Sequence, residues 1–379
     1  MNKKYKIKNI SMIEEELQKC IECRACVGQC RMLEAYCSSP KDIMEAVLND
    51  KEVQGGIPYS CNLCQKCLKV CPKDIDLGRV FMEMRRELAA SNRGISPMKG
   101  HSAIHVHQQL GFSRLFSLSA GRKDAKRVFL PGCSLSAYSP RLVELTYKYL
   151  CSKLEGTEIV LQCCGKPTED LGEVEEFKKR YKLLERSIEE SGAVEVITAC
   201  QSCYKLISEK SPGYKVKSLW TVLDEIGVPE EAKNIGATSD LVFSIHDACP
   251  TRFNSQLQDS VRNIIKELGY KFEESEISRE NTSCCGMGGM IMPVNPGLFT
   301  KISEDASTKL KNEHIITYCA SCRESMARSG KKSVHILDLI FNSCFNSSSV
   351  FAPPNKIAPL NWVNRYKTKV VTARIKERK

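Results

Sequence analysis

The sequence predicts a helical, cysteine-bearing domain followed by two copies of a parallel α/β domain. Three observations predict it. Short apolar segments alternate with amphipathic helical patterns through the last two thirds of the chain, the mark of βα units. One cysteine pattern, a single Cys, then Cys-Cys-Gly, then Cys-x-x-Cys, occurs twice there. It appears as Cys133, Cys163, Cys164, Cys200 and Cys203, and again as Cys249, Cys284, Cys285, Cys319 and Cys322. Corresponding cysteines lie 116, 121 and 119 residues apart, a repeat of domain size and not of a solenoid. The first 95 residues carry nine cysteines and read as helix.

Each part follows from its own pattern. In 1–95, Ser11 with Glu14 forms an expected capping box ahead of Leu17. Leu77, Val80, Phe81, Met84 and Leu88 recur at helical spacing as one apolar face. Asn92, Gly94, Pro97 and Gly100 then mark a break, and 96–125 reads as a linker. In 126–235 the segments 128–130, 158–161 and 194–198 read as buried strands, with helices carrying Leu142, Leu145 and Tyr149 and then Phe177, Tyr181 and Leu184. In 236–345 the strands are 241–245 and 315–317, and Val261, Ile264, Ile265 and Leu268 give a helix face. Residues 346–379 form a basic tail. The repeated cysteines fall where these strands end. Open α/β sheets place ligands outside the carboxyl ends of their strands, so cysteines distant in sequence converge on one rim. Gly132, Gly165 and Gly286 allow tight backbone turns beside a bulky group.

Composition narrows the class. The chain has 379 residues, 42% hydrophobic and 27% charged, ordinary for a globular protein, but 21 cysteines. Secreted disulfide scaffolds are short, and residues 10–17 contain Ser11, Glu14, Glu15 and Glu16 where a signal core would be apolar. No apolar run is long enough to span a membrane. The expectation is a reduced, cytoplasmic protein that binds metal through thiolates. The net charge of +11 sits at the ends, with +4 in residues 1–10 and +7 in 352–379. Such ends steer an acidic partner or touch an anionic membrane face as a peripheral contact; solvated ends are the plainer reading. No motif for nucleic acid is present.

Cys20, Cys23, Cys26 and Cys30, then Cys61, Cys64, Cys67 and Cys71 followed by Pro72, repeat the bacterial ferredoxin spacing for two [4Fe–4S] cubane clusters. The fourth cysteine of each run reaches the other cluster, so the expected sets are Cys20, Cys23, Cys26 and Cys71, and Cys61, Cys64, Cys67 and Cys30. Thirty residues separate the runs, and helices between them indicate an α-helical ferredoxin-type domain. Zinc, the simpler alternative, uses isolated cysteine pairs.

With these residues placed, the chain resembles the D-type member of the heterodisulfide reductase family, a ferredoxin-type domain fused to two Cys-Cys-Gly cysteine-rich domains. The strings that carry the resemblance are Leu130-Pro131-Gly132-Cys133, Cys163-Cys164-Gly165, His246-Asp247-Ala248-Cys249-Pro250, Cys284-Cys285-Gly286-Met287-Gly288-Gly289 and Tyr318-Cys319-Ala320-Ser321-Cys322. The resemblance implies one or two noncubane [4Fe–4S] clusters and cleavage of a small disulfide into two thiols. It makes the second set (Cys249, Cys284, Cys285, Cys319, Cys322) the favoured catalytic one and the first set cofactor-binding. One set holding zinc or an ordinary cubane, or both serving as relays, are the alternatives. His246 is a candidate proton donor to a leaving thiolate, or a structural histidine. Lys166 and Arg252 attract substrate anions or offset cluster charge. Cys37, Cys151 and Cys344 are spare thiols, and surface polarity accounts for His101, His105 and His107. The family also implies a redox partner: a flavoprotein, a ferredoxin or a membrane cytochrome. It contains electron-transfer subunits of flavin dehydrogenase complexes for glycerol-3-phosphate, glycolate or lactate, which feed quinone. That reading is the alternative, because no Gly-rich dinucleotide fingerprint is present.

Overall fold

The computed structural model describes residues 2–121, 123–341, 351 and 358–377. The chain forms two compact units, each built from separated stretches. The first takes Met1–Gln108, Gly165–Lys179 and Asn281–Thr308; the second takes Gln109–Cys164, Arg180–Glu280 and Lys309–Lys379. Segments that follow Cys164 or carry Cys284 and Cys285 therefore fold with the N-terminal cysteine runs.

The first unit is helical, with one antiparallel pair, β1 (Lys4–Lys6) and β2 (Glu52–Gln54). Helix Leu77–Ser91 buries Leu77, Val80, Phe81, Met84 and Leu88, as its spacing requires. Asp76 caps it by accepting from Arg79 N at 3.1 Å. The box expected at Ser11 does not form. Ile10 occupies the cap, Ser11 already lies inside the helix, and its hydroxyl donates to Asn9 Oδ1 at 3.0 Å. A capping box stands instead at Ser39. Its hydroxyl accepts from Lys41 N, the Asp42 carboxylate accepts from Ser39 N at 2.8 Å, and Pro40 opens the helix Pro40–Asp50.

The second unit holds two parallel four-stranded sheets. One runs β4 (Thr157–Ile159), β3 (Arg127–Leu130), β5 (Glu195–Thr198) and β6 (Lys215–Ser218). The other runs β8 (Lys271–Glu273), β7 (Val242–His246), β9 (His314–Thr317) and β10 (Lys332–His335). The order is the same in both, second-first-third-fourth, so the duplicated cysteines ride on duplicated sheets. The fold class is the one the sequence predicts. The strands missed by patterning, β6, β8 and β10, all lie at sheet edges and begin with lysine, which is how edges resist pairing with other chains.

One apolar core runs beneath both sheets, from Phe129, Leu150 and Ile197 through Trp220 to Ile264, Tyr318 and Val334. Helices Leu219–Ile226 and Ser255–Glu267 pack together, joining the halves. Burial of these large side chains stabilises the unit by roughly 1.5–3 kcal/mol each. The basic segment expected as a tail contains a helix, Ala358–Glu377, seated on helices Cys133–Tyr138 and Pro140–Lys153. Thr368 and Thr372 are buried there, Thr368 donating to Ser136 O at 2.9 Å and Asn364 to Ala137 O at 2.8 Å. Among the described residues no helix is long and apolar enough to cross a membrane.

Candidate metal centres

In the first unit the two cysteine runs fold into exchanged groups. The Cys26 thiol feels Cys20, Cys23 and Cys71, and Cys30 feels Cys64 and Cys61. Cys67 feels Cys61, Cys64 and Cys30. Burial, reinforced by these neighbours, pushes Cys26 up to about 11 and Cys30 up to about 12. Such thiols give up their protons to a metal more readily than to water. A hollow of about 360 Å³ opens among Cys20, Cys23, Cys26 and Cys71. It has the donors and the room that a four-iron, thiolate-ligated cluster needs. Among the described residues, no three His, Cys, Asp or Glu side chains are gathered for a single metal ion. Cluster ligands stand farther apart, because an iron–sulfur core lies between them.

The second Cys-Cys-Gly segment is built against the second run. Asn62 Nδ2 donates to Gly286 O at 2.8 Å and to Gly288 O at 3.0 Å. A Cβ on Gly289 would lie 2.2 Å from Cys61 O, so only glycine permits this approach. Arg85, fully buried, donates to Pro58 O, Cys61 O, Asp170 O and Gly289 O at 2.5–3.0 Å and stacks on Tyr59 at 5.2 Å. Four carbonyls replace the water this guanidinium loses. Nothing in its helical pattern marked Arg85 as more than a surface residue.

In the second unit all five cysteines of the first set form one thiol network. Cys133 meets Cys163, Cys163 and Cys203 meet Cys164, and Cys200 meets Cys203. Hydrogen bonds from the Cys163 and Cys203 thiols lower Cys164 to about 6, leaving a thiolate at neutral pH. Gly132 (φ 81°, ψ 160°) makes the closure possible, since a Cβ there would sit 2.6 Å from Cys200 Cβ. The donor set fits a four-iron cluster with an additional thiolate.

The second set is distributed. Cys249, Cys319 and Cys322 belong to the second unit, Cys284 and Cys285 to the first. Cys319 is lowered to about 7 by its hydrogen bond from Cys322. Cys249 follows a loop fixed by Asp247, which pairs bidentately with Arg262 at 2.6 and 2.8 Å and accepts from Tyr318 OH at 3.2 Å. His246 ends β7 at 1% exposure.

The two halves touch through their cysteine loops. Ser321, inside Cys319-x-x-Cys322, donates to Ser134, next to Cys133, at 3.0 Å. Asn254, beyond Cys249, donates to Tyr204, next to Cys203, at 3.1 Å. The single cysteine of each copy therefore approaches the Cys-x-x-Cys turn of the other.

Other expected residues have structural tasks. Lys166 is held by Asp170 at 2.5 Å and Glu169 at 3.2 Å. Arg252 is buried and donates to Glu280 O. Cys37 donates to Leu33 O and Cys151 to Thr157 O; Cys344 lies outside the described residues. His101 is no surface residue: it is fully buried, bonded to Ser96 Oγ and Met290 O at 2.7 and 3.1 Å. His105 bonds Glu173 at 2.6 Å.

Residues 19–76 match the 4Fe-4S dicluster domain family, and residues 128–208 and 243–327 each match the cysteine-rich domain family. The chain belongs to the iron–sulfur proteins that join a dicluster domain to two cysteine-rich domains, the heterodisulfide reductase D-type arrangement. It is similar to the iron–sulfur component of the fumarate reductase (CoM/CoB) of Methanothermobacter marburgensis, 23% identical over 361 residues, covering 86% of this chain and 71% of that protein. It is similar to the D-type component of the dihydromethanophenazine:CoB–CoM heterodisulfide reductase of Methanosarcina acetivorans, 22% over 277 residues, 65% of this chain and 66% of that one. The EtfAB:quinone oxidoreductase of Syntrophomonas wolfei matches at 23% over 345 residues, 79% of this chain and 47% of that one. The chain is an iron–sulfur electron-transfer protein related to these redox proteins.

Proposed function

We propose that this chain is a cytoplasmic iron–sulfur oxidoreductase that reduces a small disulfide, one disulfide taking two electrons and two protons to give two thiols. Cys20, Cys23, Cys26 and Cys71, and Cys61, Cys64, Cys67 and Cys30, would hold two cubane [4Fe–4S] clusters. Cys133, Cys163, Cys164, Cys200 and Cys203 would hold one noncubane cluster, and Cys249, Cys284, Cys285, Cys319 and Cys322 a second. When bound, these groups supply one-electron storage and, in the noncubane type, an iron able to hold a thiolate sulfur.

One observation carries the reading: the Cys284-Cys285-Gly286 segment is fastened by Asn62 and Arg85 to the segment carrying Cys61. A Cys-Cys-Gly segment and a cubane run thus share one rigid framework, an arrangement suited to passing electrons from a carrier to a reactive centre. Ser134 and Ser321 then bring the loops of the two copies together. His246 is assigned the proton delivered to the leaving thiolate. The electrons come from a separate redox partner: a flavoprotein, a ferredoxin or a membrane cytochrome.

Anaerobic reconstitution tests the reading. Four four-iron clusters bring about sixteen irons, and the two cubanes alone about eight. Loaded protein reduced by methyl viologen should reoxidise the dye when given disulfides. Quinone reduction with a co-purifying flavoprotein, and no disulfide turnover, would instead make the chain an electron carrier, the role to which the quinone oxidoreductase relative points.

A further inference from the structure

A hollow of about 350 Å³, open to solvent, lies beside Cys133 and Cys163 within the second unit. Its walls are apolar at Phe116, Pro131 and Leu161 and carry two nitrogen donors, Arg365 and Gln162. The volume suits a small ligand rather than a large cofactor. Arg365 comes from the helix Ala358–Glu377, far from the cysteines in sequence. It is 7% exposed, its Nε donates to Cys133 O at 3.3 Å, and its guanidinium lies 4.4 Å over the Trp362 ring. Gln162, between Leu161 and Cys163, has a shielded Nε2 with no hydrogen-bond partner among the described residues. A buried amide donor without an acceptor costs about 1–3 kcal/mol unless a ligand or water supplies one. A cation and an unsatisfied donor, set in an apolar mouth beside a thiol network, describe a receptor for an acid group on a sulfur compound.

Resting on the reading of the chain as a disulfide reductase, we propose that this hollow is the substrate subsite. It receives the carboxylate or sulfonate end of a small thiol or disulfide, with Arg365 as the anion anchor and Gln162 as a second donor. The acid group meets the guanidinium, and the sulfur end points to Cys133 and Cys163. The first cysteine set, not the second, then faces substrate. Bringing an anion toward a cluster of thiolates is otherwise repulsive, so the arginine makes selection by charge possible.

Anaerobic calorimetry on the cluster-loaded full chain tests this. Two probes share one disulfide: 3,3′-dithiodipropionate, a dianion, and bis(2-hydroxyethyl) disulfide, which is neutral. The wild type should prefer the dianion by at least about tenfold. Arg365→Gln should erase that preference, Arg365→Lys should keep part of it, and Gln162→Leu should reduce it about threefold. Lys376→Gln, which removes only the 3.6 Å ion pair to Glu158 farther along the same helix, should leave the preference unchanged. Equal wild-type affinity for both probes overturns the proposal, as does a full preference surviving in Arg365→Gln. Propionate separates this from the parent reading. Arg365-dependent propionate binding without disulfide turnover keeps the anion site and sinks the reductase. Turnover with no Arg365-dependent selection does the reverse.

Discussion

The two Cys-Cys-Gly segments share a sequence and differ in what they pack against. Cys163 and Cys164 close a five-thiol network inside the sheet-bearing unit, with a solvent-open hollow at its side. Cys284 and Cys285 lie in the helical unit, on a loop pinned to the second ferredoxin-type run. The comparison teaches that duplication need not repeat a role. One copy has the surroundings of an electron entry and the other those of a substrate mouth, although nothing in the ligand pattern separates them.

Arg85 gives the largest expected effect on the second copy. Arg85→Met keeps the stem but strands four buried carbonyls, at a cost of about 3–5 kcal/mol. The variant should melt earlier and lose iron first from the helical unit. Retention of full iron content and wild-type melting would break the claim that Arg85 fastens the Cys284 segment to the Cys61 segment.

Gly132→Ala makes the matching test on the first copy. Its φ of 81° with ψ of 160° falls where only glycine is comfortable, and the added Cβ would meet Cys200 Cβ at 2.6 Å. Strain and overpacking together cost about 2–4 kcal/mol. Iron analysis should show loss confined to the sheet-bearing unit, with the EPR signals of the reduced cubanes unchanged. Equal loss from both units would mean that the copies are not separable.

Much of this was legible in the sequence for a physical reason. Ligand spacing within a run is local, and so is the alternation of strand and helix. Eighteen cysteines and the duplicated order of strands could therefore be placed without coordinates. The edge strands β6, β8 and β10 could not, because edge positions favour lysine over the apolar runs that identify a strand. Arg365 and Gln162 stayed hidden for another reason. One is a single cation in a basic segment and the other a lone amide, and only the packing of the helix Ala358–Glu377 brings them to one wall. Which copy meets substrate depends on such long-range contacts, so the expectation that favoured the second set had no access to them.

A milder change sharpens the comparison without disrupting either framework. Asn62→Ala removes two hydrogen bonds to Gly286 O and Gly288 O and costs about 1–2 kcal/mol. If the loop is an electron entry, disulfide turnover with a one-electron donor should slow several-fold. Affinity for the disulfide should stay as in the wild type, because the substrate hollow lies in the other unit. A change in affinity with unchanged turnover would reverse the assignment of the two copies.

The smallest effect expected is a pH dependence specific to the helical unit. Burial holds His101 down at about 3 from an ordinary value of 6.5, with Arg85 and His105 adding to the depression. Met290 O accepts from its Nε2–H, and Nδ1 accepts from the Ser96 hydroxyl. A second proton would turn Nδ1 into a donor inside a site already formed around the neutral ring. The unfolded chain binds that proton at 6.5 and the folded chain only near 3. The stability is thus fully present above 6.5 and falls by about 1 kcal/mol over the first pH unit below it. Melting temperatures from about pH 7.5 to 5.5, compared with those of His101→Gln, isolate this share, because Gln can keep one donor and one acceptor without titrating. The wild type should lose a few degrees more than the variant over that span. Parallel declines would assign the acid sensitivity to the thiolate ligands in both units rather than to His101.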